Sequence, residues 1–593
     1  MTPLNGLTAK TTTNQRYRRN IALVMFALVI CPAVLAQTPD DDRRPNFVII
    51  VADDLGYSDL GSYGGEIATP NLDRLASEGI RYSNFYVGPT CSPTRSMLMT
   101  GMDNHRVGMG NMYERTAPNQ MELPGYEGVL SLDTPTFAKR LRDLGYRTYM
   151  TGKWHLGHEP THIPRGRGFD RSFSLINSGG SHFDFNGLNI DNEESEFTED
   201  GEYLTELPKD YYSTRTFTDK LIEFIDDDKE DDRPFVAYLA YQAPHDPLQV
   251  PESWLRRYKA KYDDGWDHTR EQRLARMKKL GLMPPAAELA PRLWYLPEYD
   301  DLLGAAQSIA ARKMEIYAAM VEYIDFQVGN LIDYLDESGQ LDNTVIIFFS
   351  DNGPEGSDPI AAAQRQPNLA KSAFYSNNYD LQFEAWGRSY SYMAYGPTWA
   401  QVSATPFNMY KGAMAEGGIR SPLLVWQSGR PVPANVDKDA LLHVMDIAPT
   451  LVEMAGGDAT EMQGKSWASM LRGEEARPRD DDDIIAMEFQ SARMIRRGTW
   501  KATLTPKPYG TGDWELFNIT KDPAEQIDVS AEHPELFDEL VTAWGEYAAA
   551  NNVVLPDRTF YDGMEERLPP RPPVPDSWPR GQEKNWQDSR DED

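Results

Sequence analysis

Asn46-Phe47-Val48-Ile49-Ile50-Val51-Ala52-Asp53-Asp54 is an unbroken apolar run that ends on two carboxylates. A β-branched run without polar alternation reads as a strand buried on both faces, the kind found in the middle of a parallel sheet. Thr344-Val345-Ile346-Ile347-Phe348-Phe349 repeats the pattern and runs into Asp351-Asn352-Gly353. Two further strands follow it: Tyr146-Arg147-Thr148-Tyr149-Met150 leads to Lys153-Trp154-His155, and Phe235-Val236-Ala237-Tyr238-Leu239-Ala240-Tyr241 leads to Pro244-His245-Asp246. Helical patterns at 136–144, 217–225 and 314–335 separate the strands. Strands alternating with helices predict an α/β fold with a largely parallel sheet covered on both faces, and ligands gather beyond the carboxyl ends of such strands. Four chemically unusual strand ends thus converge on one crevice.

A second stretch carries chemistry of its own. Cys91-Ser92-Pro93-Thr94-Arg95, followed by Thr100-Gly101, reads as a short helix with Ser92 as N-cap, Pro93 at the first helical position and Gly101 as its stop. Cys91 then sits at the positive end of that helix, where anions are stabilised, with Arg95 one turn in. Once the first residues are set aside it is the sole cysteine of the chain. The plain alternative is a buried thiol acting as a small hydrophobe.

At 593 residues the chain exceeds one ordinary core, so a large domain with a smaller companion is expected. A net charge of -32 argues against nucleic acid or an anionic membrane as partner, because the long-range field repels both. Arg16, Arg18 and Arg19 precede an apolar run over 21–36 that ends Val34-Leu35-Ala36, the order of a secretory signal, with an uncleaved anchor as the alternative. No later segment is apolar enough to cross a bilayer, so no stable membrane insertion of the mature chain is expected. The expected divisions are a signal over 1–36, a catalytic body over 37–480, a C-terminal α+β subdomain over 481–560, and a proline-rich charged tail over 561–593. The subdomain is read from a hairpin at 494–503, a strand at 514–517 and an amphipathic helix at 534–549. The segment 361–403, rich in Tyr, Trp, Asn and Ser with little periodicity, reads as a long ordered loop lining a pocket.

The pattern Cys-x-Pro-x-Arg with Thr-Gly five residues after the arginine resembles the signature of the type I sulfatases, and all five positions match: Cys91, Pro93, Arg95, Thr100 and Gly101. The resemblance runs from Asn46 to about Gly429, is nearest the bacterial arylsulfatases around 241–251 and 395–422, and echoes weakly over 516–523. It implies an alkaline-phosphatase-like fold, a mixed and mostly parallel sheet flanked by helices with a smaller C-terminal antiparallel sheet plus helix. It implies conversion of Cys91 to formylglycine by a formylglycine-generating or equivalent maturation enzyme. Asp53, Asp54, Asp351 and Asn352, with residue 91, would hold Ca²⁺, with Mg²⁺ possible, since hard oxygen ligands suit these ions rather than zinc. Arg95, Lys153, His155, His245 and Lys411 would contact sulfate and move protons. Together the cations would invert the acidic global field locally.

By the same resemblance the formylglycine hydrate attacks sulfur, the alcohol leaves with help from His245 or Lys411, and His155 takes the proton that lets sulfate depart. The substrate expected is a small sulfate ester, aryl first and monosulfated sugar second, hydrolysed in the periplasm or outside a bacterial cell. Two other readings stand beside this one. A phosphatase or phosphodiesterase of the same architecture would need more ligands than nine histidines readily provide, and a catalytically dead fold would bind sulfated ligands without turnover.

Overall fold

The computed structural model describes residues 43–365, 369–562, 564 and 568. The signal expected over 1–36 and most of the tail expected over 561–593 lie outside these residues. From Arg44 onward the chain forms one compact unit.

Its centre is a ten-stranded sheet in the order Leu442–His443, Ile80–Tyr86, Arg420–Gln427, Thr344–Ser350, Asn46–Asp53, Phe235–Pro244, Arg147–Lys153, Arg171–Leu175, Phe197–Glu199, Glu202–Tyr203. The five strands from Thr344–Ser350 to Arg171–Leu175 are mutually parallel, and both flanks of this block continue antiparallel except for the edge strand Leu442–His443, which pairs parallel with Ile80–Tyr86. All four strands expected from the sequence lie in the parallel block. Alternation along Asn46–Asp53 explains its continuous apolarity. Val48, Ile50 and Ala52 enter one core, with Leu72, Leu221, Phe224 and Met314, whereas Phe47, Ile49 and Val51 enter the opposite one, with Leu98, Leu141 and Leu451. Helices Pro70–Glu78, Ser213–Asp227 and Gly304–Glu337 cover the first face, and Cys91–Thr100, Phe137–Asp143 and Ile447–Met454 the second. Each strand residue is therefore buried on one side or the other. Beside the future site the Arg147–Lys153 and Phe235–Pro244 strands approach closely at Gly152, where a Cβ would lie 1.8 Å from the Ala240 carbonyl oxygen. Only glycine fits there.

A four-stranded antiparallel sheet, Ile484–Phe489, Ala492–Arg497, Trp500–Leu504 and Trp514–Asn518, forms a separate layer. One face packs Ile495, Ala502 and Leu516 against Leu540 and Trp544 of helix Pro534–Ala550, and the other packs Met487, Phe489 and Met494 against Tyr86, Met414 and Ile419 of the body. Its first strand is not evident in the sequence because the turn after it, Gln490-Ser491, puts two ordinary residues at positive φ (53° and 68°) where glycine or asparagine would signal a hairpin.

Two local expectations are corrected. Ser92 is not an N-cap. The helix begins at Cys91, two residues before the expected first position Pro93, because the extended Thr90 offers its carbonyl to the Thr94 N–H (3.3 Å), and the Ser92 hydroxyl is left without a hydrogen-bond partner. The segment 361–403 is not mainly loop: it contributes to helices Pro359–Arg365, Leu369–Asn378 and Gly396–Ser403, and its alanine run at 361–363, a strong helix former, lies in the first of these.

Candidate active site

The acidic ends of two adjacent parallel strands meet the start of helix Cys91–Thr100. Asp53, Asp54, Asp351 and Cys91 each offer a ligand atom within 4.8 Å of the others, and all four are buried. The turn is built tightly: the Asp54 N–H donates to Asp351 Oδ1 (3.3 Å), the Leu55 N–H to Ser350 Oγ (2.9 Å), and Ser350 Oγ–H to the Asn352 carbonyl (2.9 Å). Asp54 adopts φ 67° and His155 φ 54°. Such backbone in non-glycine residues costs energy and persists where packing over-determines it.

All the residues expected from the sequence except His155 make contacts within this cluster. Cys91 Sγ lies 3.4 Å from Asp53 Oδ1. Arg95 brings Nε and Nη2 to Asp351 Oδ2 (2.9 and 2.8 Å) and Nη1 to the Lys153 carbonyl (2.8 Å). Lys153 Nζ donates to Asp53 Oδ2 at 2.6 Å, Lys411 Nζ lies 2.8 Å from Asp54 Oδ1, and His245 Nε2 lies 3.4 Å from Asp54 Oδ2. The cations thus divide into an Asp53 side, with Lys153 and Arg95, and an Asp54 side, with Lys411 and His245. His155 stands apart, with Nε2 3.4 Å from Glu114 Oε1 and no hydrogen-bond partner for Nδ1.

These charges shape one another. Burial pushes Asp53 up, but Lys153, His245 and Arg95 outweigh it and hold its carboxyl far below the usual range. Burial pulls His245 down, yet Asp54 lifts it to about 9. For His155 burial wins over Glu114 and the imidazole lies below its ordinary value, leaving a neutral proton acceptor at pH 7.

Several residues of the site carry no sequence signal on their own. Arg95 Nη1 donates to the hydroxyl oxygen of Tyr238 (3.5 Å), from the parallel block, and His182 Nε2 meets the His245 carbonyl (3.1 Å) while Nδ1 meets Ser213 Oγ (2.6 Å). Asp246 Oδ1 lies 3.1 Å from His245 Nδ1. Glu355 Oε2 lies 3.2 Å from Lys411 Nζ, and of these residues Asp246, directly after His245, was the one nearest to a sequence signal. Of the aromatic residues of 374–399, Phe383 and Tyr390 are exposed, but six others are buried and are not free stacking surfaces. Phe374, Tyr375, Tyr379 and Tyr392 pack on one another, and Trp399 is fully buried with its indole N–H on the Ala310 carbonyl.

The donor set suits a hard divalent cation. Three carboxylates converge, and the Asn352 side-chain oxygen, fully buried beside Asp54, has no hydrogen-bond partner, an orphan acceptor that oxygen-preferring metals satisfy.

Comparisons with known proteins identify the family. The sulfatase family profile matches residues 45–457, and that of the N-sulphoglucosamine sulphohydrolase C-terminal region matches 408–543. An uncharacterised sulfatase of Schizosaccharomyces pombe is 37% identical over 87% of this chain and 95% of its own. The arylsulfatase of Klebsiella aerogenes is 38% identical over 71% of this chain and 89% of its own. Among solved structures, Ps i-CgsB with k-i-k-neocarrahexaose superposes with a TM-score of 0.61 at 24% identity, over 92% of this chain and 98% of that one, a likeness of fold. With the cysteine motif, the acidic strand ends and these relatives in agreement, the chain belongs to the sulfatase family and is a hydrolase of sulfuric esters.

Proposed function

We propose that the enzyme hydrolyses small sulfate esters, aryl esters first, with formylglycine at position 91 and Ca²⁺ or Mg²⁺ at the carboxylate cluster. The observation that carries this reading is the convergence of Asp53, Asp54, Asp351 and Cys91 within 4.8 Å, ringed by cations. The Klebsiella relative, named an arylsulfatase, supports the aryl class. Asp53, Asp54, Asp351 and Asn352 would hold the ion, which when bound would supply positive charge to a sulfate oxygen and a neighbouring hydroxyl. In place of the thiol, a hydrated aldehyde supplies a hydroxyl nucleophile and, afterwards, an exit for sulfate that serine lacks.

The chain's own residues do the rest. Arg95, forked between Asp351 and the Lys153 carbonyl, fixes the start of the Cys91 helix against the carboxylates. Lys153, on the Asp53 side, neutralises a sulfate oxygen. Lys411 and His245, on the Asp54 side, face the departing alcohol and supply positive charge or a proton to its oxygen. His155, neutral, accepts the proton whose loss releases sulfate. The net charge of -32 disfavours heavily sulfated polymers, whose distal charges meet a repelling field. The basic and apolar order of residues 16–36 supports export to the periplasm or medium, and the domain divisions read from the sequence are retained as part of this proposal. No helix of the described residues is long and apolar enough to cross a membrane.

Paired assays of 4-nitrophenyl sulfate and 4-nitrophenyl phosphate test the reading. Sulfate release should dominate and vanish in Cys91→Ala with the fold unchanged. Dominant phosphate release would favour a phosphatase, and binding without turnover of either ester by enzyme converted at Cys91 a dead fold.

A further inference from the structure

We propose that Glu355 is a positioning residue for the departing alcohol, acting through Lys411. The inference rests on the reading of Lys411 as the group that serves that alcohol.

Lys411 has a 10% exposed side chain and is gripped from two directions. Asp54 holds Nζ from the inside at 2.8 Å, and Glu355 Oε2 holds it from the outside at 3.2 Å. With Asp54 alone, the ammonium could swing about one carboxylate. A second anion, with a ligand oxygen within 4.8 Å of one of Asp54, confines the ammonium between two carboxylates, which matters because small displacements of a catalytic group are costly.

The frame that carries Glu355 is tied to the segment that carries Lys411. The Lys411 N–H donates to the carbonyl of Pro354, the residue before Glu355, at 3.1 Å. On the other side of Glu355, the Tyr410 ring lies so close over Gly356 that a Cβ there would meet Cε2 at 2.2 Å. Glu355 itself is oriented by the Ser357 N–H, which donates to Oε1 at 2.7 Å and leaves Oε2 for the lysine. Segments 354–357 and 410–411 are therefore locked together, and the carboxylate between them does not depend on substrate for its place.

Glu355 also lies with Asp54 and His245 in a group whose ligand atoms fall within 4.8 Å of one another. That group is not a second metal site, because the Lys411 ammonium already bridges Asp54 and Glu355. It defines instead the electrostatic wall of the Asp54 side: two cations, Lys411 and His245, held by two carboxylates. Glu355→Gln keeps the size and the Ser357 hydrogen bond but removes the outer anchor, so Lys411 is drawn toward Asp54 and away from the departing oxygen.

The experiment is a series of aryl sulfates with leaving phenols of increasing pKa, run on the mature enzyme as wild type, Glu355→Gln, Glu355→Asp and Lys411→Met, with thermal melts alongside. Good leaving groups need no help, so Glu355→Gln should change their kcat less than about threefold and lower it about tenfold or more for the poorest phenols. Lys411→Met should steepen the dependence further in the same sense, and Glu355→Asp should fall between wild type and the glutamine variant. A uniform loss across the series, together with a lowered melting temperature, would make Glu355 merely structural and overturn the proposal. A steep series in Lys411→Met with a wild-type series in Glu355→Gln overturns the proposal and leaves the reading of Lys411 intact. A wild-type slope in Lys411→Met overturns both.

Discussion

Lys501 is fully buried between the C-terminal sheet and the catalytic body, with Nζ 2.9 Å from Glu416 Oε1 and 2.8 Å from Glu525 Oε1. Glu416 has other support: its carboxylate accepts from the Tyr86 hydroxyl (2.6 Å) and pairs with Arg420 (3.2 Å). Glu525 has less. Burial already lifts it to about 7 against the pull of Lys501, whereas burial of Glu416 is overcome by Lys501, Arg420 and Arg496, which hold it at about 2. In Lys501→Met, Glu416 stays ionised and Glu525 is driven further up, to hold its proton at neutral pH. Breaking a buried pair by removing one partner costs about 3–5 kcal/mol. With an unfolding entropy of about 2.1 cal/mol/K per residue, a unit of this size loses roughly 3–4 °C in Tm. The sign with pH follows from Glu525: a carboxyl whose folded value is raised above about 4.3 loses stability progressively as pH climbs from there to the folded value. Differential scanning calorimetry should therefore find the Tm deficit of Lys501→Met larger at pH 8 than at pH 5.5, and Glu525→Gln on that background should remove the difference. An unchanged Tm, or a deficit that grows toward acid, would refute the reasoning.

The remaining predictions concern other parts of the molecule. His105, buried between Asp103 (2.9 Å) and Glu488 (3.4 Å), is lowered by burial but raised by both carboxylates to about 9. Its stabilisation, roughly 3 kcal/mol, is complete below about pH 6.5 and lost as pH rises through about 9, so His105→Gln should flatten alkaline denaturation followed by circular dichroism. Arg95→Lys cannot reproduce the fork onto Asp351 and the Lys153 carbonyl, and kcat/KM for 4-nitrophenyl sulfate should fall about 100-fold without loss of expression. Removing divalent ions with a chelator should abolish turnover and lower Tm, and Ca²⁺ at about 100 times its Kd should return about 2.7 kcal/mol of stability; a chelated enzyme with full activity would contradict the metal assignment.

Much of this was legible in the sequence because the central strands are buried on both faces. Val48 and Ile49 serve opposite cores, so neither position tolerates a polar residue and the strand stands out as an apolar run. The chemistry was legible for a related reason: Asp53-Asp54 and Asp351-Asn352 follow such strands directly, where a charge has no structural purpose in the core. What was obscured depends on tertiary context. Glu355, Glu114 and His182 look like ordinary loop residues until folding brings them to Lys411, His155 and His245. Composition does not reveal whether the rings of 361–403, read as lining a pocket, face a ligand or one another, and here Tyr375, Tyr379 and Tyr392 meet edge to face. The helix starts at Cys91, two residues before the expected Pro93, because the Thr90 carbonyl, rather than the Ser92 side chain, sets its first hydrogen bond.

The most direct test is mass analysis of the peptide containing residue 91, from enzyme graded by specific activity. The account predicts that turnover rises in proportion to the fraction in which CH₂SH has become an aldehyde, detectable also by hydrazide labelling. Full activity in protein whose Cys91 thiol is intact would contradict it.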